Sequence, residues 1–217
     1  MSQFQAIDRS FGEIAALAKR AARGAGYAWG ACEDASMATE WLARHGFPSI
    51  EALSQALSMN RPWAAPSTGT LPWTAVAGTW LCPILTGAAL ADHLPLALYA
   101  GEITVAGLRS PLLAAGCVAA YGEAIGCLYQ FNWNGIVIEG DKTESQPYDT
   151  TRDLLTSCAG IFKCTKIKTI PSNGLTLSLS RPRIELSHWR HLERLAARTY
   201  APPSESSRLL GAGPSED

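Results

Sequence analysis

Two stretches of this chain hold the residue types that could bind and turn over a small charged molecule. The first is Ser204-Glu205-Ser206-Ser207-Arg208, followed by Gly211-Ala212-Gly213. It offers hydroxyls, one carboxylate and a planar guanidinium fork, and the glycines that follow can present backbone amides in a concave nest. Such a set suits a carboxylate or phosphate group. The plainer reading is a last helical turn capped by Ser204, with Glu205 and Arg208 paired three residues apart. The second stretch runs from Arg23 through Gly24-Ala25-Gly26-Tyr27-Ala28-Trp29-Gly30 to Glu33. Its glycines permit tight turns and its aromatics supply flat walls with a polar edge. It reads either as a helix–helix hairpin or as a ligand-contacting loop.

Together these residues suggest a division of labour for an anionic metabolite. Arg23 and Arg208 hold the anion with Ser204 and Ser207, Trp29 forms a wall, and Glu33 or Glu205 serves as acid or base. The expected geometry folds Ser204 to Arg208 back onto the Gly24 to Glu33 region, with the tail charges pairing Glu33 and Arg23. Residues 214–217 are expected to be free.

A third constellation is weaker. Cys82-Pro83 opens a short helix that ends in Asp92-His93, and a cysteine at a helix N-terminus can have its pKa lowered. A helix of that length holds Cys82 and His93 about 15 Å apart, so a thiolate–imidazole pair is not expected and Cys82 reads as core. His188 and His191 share a helix face, but no ligand set surrounds them to hold a metal. The chain also lacks the dinucleotide, phosphate-loop, nucleophile-elbow and zinc-protease signatures, so no cofactor is called for.

The elements that must position these groups follow from periodicity. Ser10 and Glu13 form a capping box, and Ile14, Leu17, Ala18, Ala21 and Ala22 fall on one face of a helix from Phe11 to Arg23 that stops at Gly24. Lys19, Arg20 and Arg23 sit where positive charge suits the helix dipole. A second helix, Trp29 to His45, carries Trp29, Glu33, Met37 and Trp41 at every fourth position, a stripe expected in the core and interrupted by Glu33. A third short helix opens at Ser49 and buries Ile50, Leu53 and Leu57.

Asn60 to Thr74 reads as a long ordered crossing without helix or strand, and Leu96 to Val105 as a strand. Pro111 to Ile125 is an uncharged helix until Glu123 and should be buried on most sides. Leu128 to Trp133 and Gly135 to Glu139 form a hairpin through Asn134-Gly135. Leu154 to Ile170, bent at Gly160, Leu175 to Leu179 and Arg183 to Leu186 supply further strands. A last helix from Ser187 to about Thr199 turns Trp189, Leu192, Leu195 and Ala196 inward. The lack of long crossovers favours antiparallel pairing. The fold class is therefore α+β: a mainly antiparallel sheet packed with an N-terminal helical layer (about 10–58) and an apolar central helix. The sheet-containing core spans about 75–200, the site-forming tail is 201–213, and 217 residues suit one domain.

Bulk properties narrow the partners. Eighteen Lys and Arg against nineteen Asp and Glu give a formal charge of -1, so no global field gathers nucleic acid or an anionic membrane. An apolar fraction of 47% with 17% charged residues suggests an extensive core, or surface covered in a homo-oligomer or by a partner enzyme subunit. The apolar runs fall short of a membrane span and the N-terminus lacks a signal core, so a cytoplasmic location is expected. The six cysteines include no CxxC and read as reduced thiols. The leading class is a small-molecule enzyme, or a catalytically weak relative, acting on a carboxylate- or phosphate-bearing metabolite. The competing class is a non-catalytic accessory or assembly subunit.

Three stretches resemble the motifs of a bacterial family of uncharacterised proteins, a domain of unknown function. They are Lys19 to Gly30 with Glu33; Leu81-Cys82-Pro83-Ile84 with Gly87 to Leu90 and Asp92; and Arg198-Thr199-Tyr200 through Pro202, Ser204-Glu205, Ser207-Arg208 and Gly211 to Gly213. The resemblance implies no activity, ligand or catalytic residue. The chain departs from the pattern at Ala28, where proline is expected, and the departure implies a looser turn.

Overall fold

The computed structural model describes residues 5–58, 64–75, 79–94, 101–139, 154–155, 158–169 and 181–199. Within them the chain is α+β, with antiparallel sheets and a helical layer. Helix α1 (Phe11–Gly24) starts with the expected capping box: Ser10 Oγ accepts from the Glu13 amide, and the Glu13 carboxylate accepts from the Ser10 amide at 2.9 Å. These bonds from Ser10 hold the Glu13 pKa below its ordinary value. Helix α2 is Trp29–Arg44 and helix α3 is Ser49–Ser58. Ala28 caps α2 at φ -66, the angle proline would have fixed, so the turn is made without proline.

The stripe of α2 corrects the sequence reading. Trp29 is 61% exposed and Met37 46%, Glu33 is on the surface as well, and of the four only Trp41 is buried. The buried face carries Ala31, Cys32, Ala35, Ala38 and Leu42 instead. Small side chains won because α2 packs tightly on its neighbours, and large aromatics on that face would hold the helices apart.

After α3 the expected irregular crossing contains a small hairpin, β1 (Ala6–Asp8) lying apart from it at the start of the chain. Strands β2 (Pro66–Ser67) and β3 (Thr74–Ala75) pair antiparallel. Helix α4 is Pro83–His93. Strand β4 runs Glu102–Arg109, later than the predicted Leu96 to Val105; residues 95–100 lie outside the described residues. Helix α5 (Pro111–Ala124) is buried nearly all round, between α2 and α4 on one side and the sheet on the other. Gly116 makes this fit possible: a Cβ there would come within 2.7 Å of Leu42 Cγ and 3.0 Å of the Ala38 carbonyl.

The main sheet has the order β4-β7-β5-β6, all antiparallel, with β5 Cys127–Trp133, β6 Ile136–Glu139 and β7 Cys158–Thr169. The hairpin turn is the one Asn134-Gly135 predicts, with both residues at positive φ (48° and 81°). Ile103, Val105, Phe131, Trp133, Phe162 and Cys164 belong to the core. The other face is mixed: Gln130 donates to Glu139 at 3.1 Å and Thr165 to Glu102 at 3.2 Å, beside the exposed Val137 and Ile161. The register irregularity against β7 falls at Leu128/Tyr129 in β5, whereas the predicted bend was at Gly160. Strand β8 (Arg183–Glu185) pairs with β1 and not with the main sheet. The predicted strand Leu175 to Leu179 and the loop Asp141 to Asp149 lie outside the described residues.

Helix α6 (Leu186–Ala197) turns Trp189, Leu192, Leu195 and Ala196 inward as its period predicts. It lies against α1 so closely that a Cβ on Gly24 would fall inside the Leu195 carbonyl. All six cysteines are free thiols; Cys127 and Cys158 are half-buried and the other four buried. Among the described residues no helix is long and apolar enough to cross a membrane.

Candidate functional site

Helices α1 and α2 run antiparallel from the turn at Gly24 to Ala28, so the last turns of α1 face the first turns of α2. This geometry sets the partners of each predicted site residue. Arg23 Nη1 donates to the Tyr27 carbonyl at 3.0 Å, and its guanidinium lies over the Trp29 ring, 4.8 Å from the centroid. One turn further from the hairpin bend, Lys19 pairs with Glu33. A further turn on, Ser36 Oγ donates to the Ala15 carbonyl at 2.9 Å. Arg23 and Trp29 are thus brought together. The tail charges expected to pair with Glu33 and Arg23 lie outside the described residues; within them the antiparallel register puts Lys19 across from Glu33.

Beside this shelf the carboxyl of Asp34 has its pKa raised, first by burial and then by the Asp92 and Glu33 charges. Burial likewise pushes up the thiols of Cys32 and Cys117, which makes both poor nucleophiles. Ser204, Glu205, Ser207 and Arg208 lie outside the described residues, and so does their expected contact with Gly24 to Glu33.

Cys82 caps α4 without a side-chain hydrogen bond to the helix, and its sulfur lies 3.4 Å from the Tyr27 hydroxyl. Tyr27 therefore connects the α1–α2 turn to the start of α4: its carbonyl meets Arg23 and its hydroxyl meets Cys82. His93, at the far end of α4, places Nδ1 2.8 Å from the Ala89 carbonyl and sits edge-on to Trp73 at 5.2 Å. Cys82 and His93 stay at opposite ends, as the helix length requires.

His188 and His191 do share a face of α6, and both converge on a residue that sequence reasoning passed over. The Ser54 hydroxyl of α3 lies 2.9 Å from His191 Nδ1 and 3.1 Å from His188 Nδ1. Behind His188, Glu185 approaches Nε2 at 3.8 Å. Burial, then the Arg194, His188 and Arg198 charges, lower the His191 pKa. A serine hydroxyl, an imidazole and a carboxylate in sequence have the composition of a proton relay. Ser54, however, is only 3% exposed, so substrate does not reach its oxygen and the cluster holds α6 on α3. The one sequence signal for Ser54 is a polar residue beside Leu53 on the buried side of a short helix. Among the described residues no group of three or more His, Cys, Asp or Glu is placed to hold a metal ion.

Residues 9–79 match the family model described as a protein of unknown function (DUF3726). The matched segment covers α1 to α3 and the β2–β3 hairpin, and so includes the Arg23–Trp29 shelf. It ends before Cys82, Ser187 and the tail motif. No curated protein and no solved structure matches the chain.

Proposed function

We propose that the protein binds a small anionic metabolite, bearing a carboxylate or phosphate group, at the shelf formed by Arg23 and Trp29, as a small-molecule enzyme or a catalytically weak relative of one. The observation that carries this reading is the guanidinium held 4.8 Å over an indole that is itself 61% exposed. A surface tryptophan costs apolar exposure, and a guanidinium stacked on it is oriented in advance and loses less freedom when an anion arrives. Glu33 is the acid–base candidate among the described residues, reached by ligand only if Lys19 yields; Glu205, Ser204, Ser207 and Arg208 complete the proposed site from the tail.

The test is calorimetric titration of the full chain with a panel of dicarboxylates and phosphomonoesters. One or more should bind, and Arg23→Ala or Trp29→Ala should weaken that ligand at least tenfold while leaving the melting temperature within a degree or two. A panel without a single binder removes the reading.

A second reading, an accessory or assembly subunit, rests on the exposure of Trp29 and Met37 along one line of α2. It predicts a concentration-dependent rise in sedimentation coefficient that Met37→Arg abolishes. A monomer at every concentration removes the self-associating form of that reading.

A further inference from the structure

The starts of α4 and α5 lie side by side. Leu81 and Leu108 form a parallel bridge: the Leu81 amide donates to the Gly107 carbonyl at 2.8 Å and the Arg109 amide to the Leu81 carbonyl at 3.2 Å. Each chain then turns directly into a helix, through Cys82-Pro83 and Ser110-Pro111. The two helices touch along their length, since a Cβ on Gly87 would meet Cys117 Cβ at 2.7 Å and Ala114 Cα at 3.2 Å. Two N-termini with the same sense thus stand one strand spacing apart, at the carboxyl ends of two parallel segments. Their first-turn amides and dipoles add, which is the arrangement that attracts anions at strand ends.

A separate observation points to an occupant. Ser110 is 3% exposed, sits at the cap of α5 and makes no side-chain bond to its own helix. Its Oγ has no hydrogen-bond partner among the described residues. The same holds for Thr86 Oγ1, in the first turn of α4 and 0% exposed. Buried hydroxyls without partners are uncommon in native folds, and a bound water or ion is one of the things that accounts for them. Here one occurs at the start of each of two adjacent helices. The residue before Ser110 is Arg109, whose guanidinium lies 4.9 Å from the centre of the Trp80 ring on the neighbouring segment.

We propose that the paired N-termini of α4 and α5 form a seat for a small oxyanion, a phosphate or carboxylate group, bound by the Ser110 hydroxyl and the first-turn amides of Ile84 and Leu112. The seat uses none of the Arg23 shelf residues and stands or falls separately from it.

The experiment follows backbone amide shifts of the full chain during titration with inorganic phosphate, and in parallel with glycerol 3-phosphate and succinate. Saturable shifts at Ile84 and Leu112 are expected with at least one of the three. Ser110→Gly, which removes the hydroxyl and adopts the φ of 40° without strain, should weaken binding at least fivefold. Ser110→Asn, which tolerates the same backbone and fills the seat, should abolish it. Arg23→Ala should leave these shifts unchanged, whatever it does to the shelf. Tighter binding of glycerol 3-phosphate than of phosphate assigns the seat to a metabolite head group; equal binding assigns it to the free ion. No saturable shift at Ile84 and Leu112, or wild-type affinity in both Ser110 variants, overturns the proposal.

Discussion

Two helix junctions in this molecule solve the same packing problem in opposite ways. Where α1 meets α2, the core is alanine and leucine, and the charged groups stay at the rim as a ladder of Arg23 on Trp29 and Lys19 with Glu33. Where α3 meets α6, polar groups enter the seam itself, with Ser54 between two imidazoles. A rim ladder adds orientation and little stability, because water competes for every partner. A polar seam ties stability to proton occupancy, because a desolvated imidazole favours its neutral form. The second junction should therefore respond to pH.

The largest expected effect comes from Gly24→Ala. Its Cβ has no space against the Leu195 backbone, so α6 must shift away from α1. Unfolding by urea should show a loss of about 3 kcal/mol. The His188 and His191 ring signals should move with it, while the Arg23–Trp29 contact is kept. A loss below about 0.5 kcal/mol would show that α6 is not seated on α1 as described.

A middle-sized effect concerns pH. The folded chain holds the His191 pKa below its ordinary value of 6.5, so the unfolded chain takes up the proton first on acidification. Stability present above 6.5 is therefore lost as pH falls through the lowered value. His191→Asn, which keeps a polar group near Ser54 and cannot titrate, should flatten the urea midpoint between pH 7 and 5. Parallel curves for the two proteins would break the contrast between the junctions.

The smallest effect is that of Lys19→Ala, whose partner Glu33 has a side chain 53% exposed. It should cost no more than about 0.5 kcal/mol, and the cost should vanish at high salt. A larger, salt-resistant loss would mean that the rim ladder does more than the geometry indicates.

The fold was legible wherever one local rule acted alone. The Ser10 and Glu13 pair, the Asn134-Gly135 turn, the proline starts of α4 and α5 and the inward face of α6 all appear where short-range pattern put them. The stripe of α2 was misread because a four-residue spacing identifies a face and not which face is buried; alanines chose, through the closeness of α5. Strand β8 was found but its partner was not, since pairing with Ala6 to Asp8 is a long-range choice invisible to periodicity. At the candidate sites, Arg23 and Trp29 were legible as a pair beside a glycine turn. Ser54 and Ser110 were not. Their interest lies in burial and in what surrounds the oxygen, and a single serine in a helix or before a proline announces neither.

The pairing of β1 with β8 also sets a timetable for synthesis. Asp8 has no partner strand until Arg183 has been made, and Gly24 has no Leu195 to rest on until later still. At the usual ~5–20 residues per second, this interval is on the order of ten seconds or more. Throughout it, the side of α1 destined for α6 stays uncovered on the nascent chain. The slow step in maturation should then be the docking of a late helix onto an early one, a high-contact-order event at the end of translation.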